Sequence, residues 1–287
     1  MSASAPLAEA ARSRLPALRA AHPAQFRTVT PMRTAVAAVV LGMLALFVFS
    51  VWRLEIDWAR LLAGFGRLFD FIPQMIPPGT TRGATWPTIL HALAETLAIA
   101  FLGTLLAAII ALPVGFLAAR NTTVNGAVRI LSRRSLDGLR GIDALIWALI
   151  WVSVVGLGPF AGVLAIMTGD IGTFGKLFSE AIEAADRKSQ EGVVAAGGSG
   201  AARVRFGVVP QVLPVLAGQV LYLFESNTRS STIIGIVGAG GIGLILAEMI
   251  RTMEWEAVSL MILLILAMVA MIDFVSGRLR RRLIGGG

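Results

Sequence analysis

The chain has 287 residues, 56% hydrophobic and only 15% charged, with a formal net charge of +8 and a mean hydropathy of +0.79. Soluble domains carry about a quarter charged residues, so a water-soluble globule is excluded. The positive balance reads as loop orientation across a membrane and not as a nucleic-acid footprint. The absence of Cys removes disulfides and thiolate sites.

Residues 1–33 form a basic tail with Arg12, Arg14, Arg19, Arg27 and Arg33 against Glu9, interrupted by Pro6, Pro16, Pro23 and Pro31. The apolar run 34–52 is too long for a signal-peptide core and lacks a small-residue cleavage site, so it is expected as the first membrane span. Residues 34–86 then combine that span with an external amphipathic segment. Asp57 can cap a helix whose Trp58, Leu61, Leu62, Phe65, Leu68, Phe69 and Ile72 recur at helical spacing. That helix is too short to cross a bilayer, and either lies in the interface or packs on the bundle.

A second span is expected over 88–119, with a kink at Pro113. His91 and Glu95 lie one turn apart on it, too few ligands for zinc, so no metal site is expected. An intramembrane Glu is a functional candidate by default; Glu95 carries either a structural or gating role or proton coupling. Residues 120–140 read as a basic loop. The third and fourth spans are expected at 142–156 and 160–178, joined by a tight turn at 156–159, with Asp170 near an interface. Residues 169–176 hint at a phosphate loop, but the spacing is wrong and Leu177 replaces Ser/Thr. No nucleotide site is expected, so any ATP and magnesium must be bound by a partner.

Residues 184–210 are polar and rich in Gly and Ala between two apolar spans. They read as a helix, a turn at Gly197, Gly198 and Gly200, and a second helix opened by Pro210. The fifth span is expected from 207 to 224. It leads into the polar stretch Glu225, Ser226, Asn227, Thr228, Arg229, Ser230, Ser231, Thr232 at the mouth of the last two spans. Hydroxyls, an amide and the planar fork of Arg229 suit an oxyanion, and a following helix start would add backbone donors. A solvated loop with a simple Glu225–Arg229 pair is the alternative. Gly238, Gly240, Gly241 and Gly243 fit a dinucleotide fingerprint, but membrane spans on both sides exclude the parallel sheet it needs. They suit close packing of a broken helix or backbone approach to a translocated anion. The last span is expected at 256–276, with Asp273 near an interface, and residues 278–287 form a basic tail.

The fold class is therefore all-α and polytopic, with about six spans. With both termini inside, roughly 19 of the 25 Lys and Arg fall on the cytoplasmic side. That bias also places 184–210 in the cytoplasm.

Glu191, Gly197 and Pro210 carry a resemblance. ABC-type import permeases have a cytoplasmic loop of pattern E-A-A, three residues, G, nine residues, I-x-L-P. Here the alanines are Gly192 and Val193 and the Ile is Gly207. Glu183-Ala184-Ala185 reads the tripeptide literally, but Ser189 stands in place of the glycine. From 87 to 284 the chain resembles, more closely, the permease subunits of phosphonate-type ABC importers. The segments are ETLAIAFLGT (95–104), ALPVGFLAARN (111–121), GLGPFAGVLA (156–165), GTFGKLFSEAIEAAD (172–186), PQVLP (210–214) and FESNTRSSTIIGIVGAGGIG (224–243).

The resemblance implies a type I importer permease fold over 87–277, in a bacterial inner membrane, with 184–210 as a loop coupling it to ATPases. It implies a homodimer, two cytoplasmic ATPase subunits and an external binding protein that delivers a phosphonate, phosphite, hypophosphite or phosphate-like anion. Membrane lipid is a partner and nucleic acid is not. No covalent chemistry is expected in this chain. The rival is an ion-coupled secondary transporter, which would need carboxylates such as Glu95 at the bilayer midplane. A membrane enzyme would need an Asp, His or Ser cluster that the sequence does not offer.

Overall fold

The computed structural model describes residues 31–284 apart from 56 and 124, together with residues 16, 17, 20 and 21. The basic tail expected over 1–33 thus lies almost wholly outside the described residues. The chain divides into two compact units, Met1–Phe69 and Asp70–Gly287.

In the first unit, helix α1 (Pro31–Arg53) is apolar on every side. Such a helix is stable only in lipid. Helix α2 (Trp58–Phe71) begins where Asp57 accepts hydrogen bonds from the amides of Ala59 and Arg60, at 3.0 and 3.1 Å. This is the cap the sequence suggests. A 3-10 turn, Ile72–Met75, follows.

The second unit holds α3 (Trp86–Ala118), α4 (Gly126–Arg140), α5 (Ala144–Val155), α6 (Pro159–Glu183), α7 (Arg187–Ala195), α8 (Val209–Ile236), α9 (Ile242–Arg251) and α10 (Trp255–Ile284). Among the described residues there is no strand, so the dinucleotide reading of the glycines has no sheet to stand on. Among the described residues of both units, four helical segments are long and apolar enough to cross a membrane, or five if α4 and α5 count as one span bent by 86°.

Two expectations change here. The third expected span is only the twelve residues of α5, about 18 Å long, too short to cross a core of about 30 Å alone. The basic loop expected over 120–140 is largely helix α4. Asn125 caps it by accepting from the Ala127 amide, and Leu136 on its inner face is buried while Arg134 and Arg140 are exposed.

The core is built on α3 and α6. In lipid the association of helices rests on close packing, because the surrounding chains are as apolar as the side chains. A Cβ on Gly103 would lie 2.7 Å from Ile166 Cβ, and one on Gly115 would lie 2.9 Å from Phe178 Cβ. Between these glycines Ala107, Ala108 and Ala111 receive the fully buried rings of Phe174 and Phe178. Helix α8 completes this cluster with Val212, Leu216 and Leu223. A second cluster joins α3, α9 and α10 through Ile89, Ile242, Met249 and Met261.

Candidate functional site

The segment after α6 is a clasped arm. Asp186 caps α7 by accepting from the Lys188 amide at 3.0 Å. The helix ends when Gly197 turns to φ +79°. The Gly197 amide then donates to Val194 O and the Gly198 amide to Val193 O, both at 2.9 Å. This pair of bonds is a Schellman C-cap, which takes glycine at the left-handed position. Gly198 is needed for a different reason, since a Cβ there would lie 2.7 Å from both Val193 Cγ1 and Val193 O. Ser199 caps the next turn, Gly200–Ala202, and a π-helical turn, Arg203–Val208, leads into α8, where Pro210 occupies the first turn. Gly207 lets that turn approach α7, with Gln190 Cα only 3.0 Å from a Cβ placed on it.

Gln211 closes the neck of the arm. Its side chain accepts from the Asp186 amide at 2.9 Å and donates to Gly207 O. Arg203, which the sequence reading left aside, donates to Asn121 O at 3.0 Å and ties the arm to the turn after α3. Glu191 is exposed on α7 and makes no hydrogen bond or ion pair among the described residues. It borders an open cavity of about 910 Å³ shared with Arg120, Arg187 and Arg203. Glu183, in the literal tripeptide, does the opposite work. It accepts from Arg133 at 2.6 Å and from the Arg120 amide at 2.7 Å, and so pins α4 and the end of α3 to α6.

The polar stretch Glu225–Thr232 is not a loop at a mouth. It lies wholly inside α8. The helix tolerates it because five of the eight polar side chains find partners. Thr228 and Ser231 return their hydroxyls to the carbonyls of Phe224 and Asn227, at 2.9 and 2.6 Å. Glu225 and Arg229 find partners on α10: Arg280 with Glu225 at 3.1 Å and Asp273 with Arg229 at 3.2 Å. Asn227 is buried, and its amide donates to Thr104 Oγ1 of α3 at 2.8 Å and to Asp170 of α6. Asp170 is thus packed within the bundle, on the inner side of α6. The stretch splits into an inner group, Asn227, Thr228 and Ser231, and a half-exposed group, Glu225, Ser226, Arg229 and Ser230. Thr232 Oγ1 is buried without a partner.

The glycine turn between α8 and α9 is held by side chains of α3. Gly238, Gly240 and Gly241 have φ of +99°, +84° and +73°, a region that only glycine enters freely. The Gly241 amide donates to Glu95 Oε1 at 3.0 Å, and the Ile242 amide to Thr96 Oγ1 at 2.8 Å. A carboxylate at a helix N-terminus is favoured by the helix dipole. The donors expected to greet an anion at this helix start are thus already occupied. Gly243 lies where a Cβ would be 2.0 Å from Thr232 O, so α8 and α9 meet backbone to backbone. His91 Nδ1 is 3.7 Å from Glu95 Oε2, and no metal-ligand cluster occurs among the described residues.

Comparison with known proteins gives a consistent set of likenesses. Residues 111–285 match the family described as binding-protein-dependent transport system inner membrane component. The chain is 41% identical over 247 residues to HtxC of Stutzerimonas stutzeri, described as the permease of a phosphite transport system, covering 86% of this chain and 85% of that one. It is 38% identical over 244 residues to the phosphite transport system permease PtxC of the same organism, covering 85% and 87%. Among solved structures, the inward-facing MetNI methionine ABC transporter superposes with a TM-score of 0.60 at 22% identity, over 69% of this chain and 99% of that one. That last likeness is one of fold alone.

Proposed function

We propose, from the premise that this chain belongs to the family of binding-protein-dependent transport system inner membrane components, that it is the translocating subunit of an ATP-driven importer for a phosphorus oxyanion of phosphite, phosphonate or phosphate type. Its fold is that of the type I ABC importer permeases. The observation that carries the coupling reading is the clasped arm 184–210: α7 projects from the bundle, its Glu191 is free to meet a partner, and its neck is fastened to α6 and α8.

In this reading two copies of the chain pair in a bacterial inner membrane with both termini in the cytoplasm, an orientation supported by the positive-inside bias. Two cytoplasmic ATPases bind ATP and magnesium and seat α7 in a groove. An external binding protein supplies the anion. Closure of the ATPases on ATP moves α7, and the arm passes that motion to α6 and α8. Glu191, Gly197, Gly198 and Pro210 shape the arm. The half-exposed polar group on α8 lines the path of the anion, and the glycines at 238–243 set the packing around it. This chain contributes no bond-breaking chemistry. The ion-coupled alternative rested on Glu95, whose carboxylate is engaged as the cap of α9.

The test is co-purification from native membranes combined with uptake. A stoichiometric ABC ATPase and ATP-dependent uptake of labelled phosphite or a phosphonate are expected. A folded chain that brings down no ATPase, or that takes up substrate on a proton gradient without ATP, would overturn the assignment.

A further inference from the structure

Helices α8 and α10 both read as membrane spans, yet their shared surface carries four charges. Charged side chains in such helices face a water-filled cavity or protein and not lipid. The four are not held equally. Glu225 is gripped twice, by Arg280 at 3.1 Å and by Arg229 at 3.8 Å, and its side chain is only 15% exposed. Arg229 and Asp273 meet through a single 3.2 Å hydrogen bond, and their side chains are 46% and 43% exposed.

That inequality marks which pair can exchange partners. Of the five N–H groups of Arg229, one donates a hydrogen bond among the described residues. Once Asp273 is displaced, the planar fork suits two oxygens of a tetrahedral anion. Tyr222, Arg229, Ile233 and Ile236 make one exposed stripe on α8, and Ser226 shares that face one turn from Arg229, its hydroxyl unused in any described hydrogen bond. Glu225, locked by Arg280, is the fixed post against which the guanidinium rests.

We propose that Arg229 is the anion-carrying group of the translocation path and that Asp273 is its exchangeable counter-ion. The entering oxyanion displaces Asp273 and takes the fork of Arg229, with the Ser226 hydroxyl donating to a further oxygen. Asp273 then recaptures the arginine, and the anion leaves. The carboxylate keeps the site from holding its cargo too tightly, and no covalent bond changes. This rests on the oxyanion reading above, and it competes with a purely structural ion pair that staples α8 to α10.

The test is phosphite uptake by the permease–ATPase complex with its binding protein in proteoliposomes, with ATP hydrolysis followed in parallel. Arg229→Gln should cut uptake about ten-fold or more, the scale of a lost hydrogen bond to a charged group, with the ATPase still co-purifying. Arg229→Gln/Asp273→Asn leaves no unpaired charge, so a mere staple would recover in it; the proposal requires uptake to stay low. Arg229→Lys should retain part of the uptake, because it keeps the charge and loses the fork. Uptake by the double variant within two-fold of wild type would overturn the proposal, and so would failure of the double variant to assemble, which would mark the pair as a staple. A wild-type complex that takes up neither phosphite nor phosphonate nor phosphate would instead refute the oxyanion reading on which the proposal rests.

Discussion

Glu95 stands at the N-terminus of a helix to which it does not belong. Its carboxylate accepts the Gly241 amide ahead of α9, while Thr96 accepts the next amide. Glu95→Gln keeps an acceptor and loses only the charge, so a cost of about 0.5–1 kcal/mol is expected; Glu95→Ala should cost about 1–2 kcal/mol. Thermal unfolding of the detergent-purified complex would read both. Uptake by Glu95→Gln should keep its wild-type pH profile, whereas a proton-coupling residue would lose it. At the arm, Gly197→Val forces a branched residue to φ +79° and should cost about 1–2 kcal/mol. Gly198→Ala meets Val193 backbone at 2.7 Å and cannot be relieved by a rotamer change. Both should lower the yield of co-purified ATPase while leaving membrane insertion intact. The glycines at 197 and 198 and Pro210 made the helix–turn–helix shape of the arm legible, because a left-handed cap and a helix-opening proline leave fixed residue types behind. Arg203 and Gln211 left no such mark: their partners, Asn121 and Asp186, lie 82 and 25 residues away in the sequence.

Helix α8 shows what a single element can conceal. Eight polar residues in a row read as a loop, since nothing in one strand of text says that Asp170, Thr104, Asp273 and Arg280 wait on three other helices. The charged run of α4 misled for a similar reason: its apolar side is narrow, essentially Leu136 and its neighbours against α6. The spans α1, α3 and α10 were plain by contrast, because lipid demands long apolar runs. At this scale Asn227 is the tie between α3, α6 and α8. Asn227→Leu strips a buried donor from both Asp170 and Thr104, and should destabilise the bundle by about 1–2 kcal/mol. Asn227→Leu combined with Asp170→Leu should lose less than the single changes added together, a coupling that a double-mutant cycle in mild denaturant would measure.

The second unit is a bundle whose core is small residues against aromatic rings. On the proposed assignment partner ATPases supply the energy, so uptake by the assembled complex should survive an uncoupler as long as ATP is supplied and stop when ATP hydrolysis is blocked; membrane vesicles loaded with ATP would test this. Positive-inside asymmetry was readable without any fold, because charge distribution is a property of loops. The bend of 86° between α4 and α5 was not, because it depends on where Gly172 and Gly175 of α6 let α4 settle. The clasp at Gln211 has a mechanical consequence. One side chain fastens both ends of the arm, and α6 and α8 carry Asp170 and Asn227 at their meeting point. Under the proposed coupling the arm would act as a crank, a push at its tip turning α6 and α8 together. Gln211→Ala, which cuts the crank at its wrist, should then leave ATPase binding in place and lower uptake.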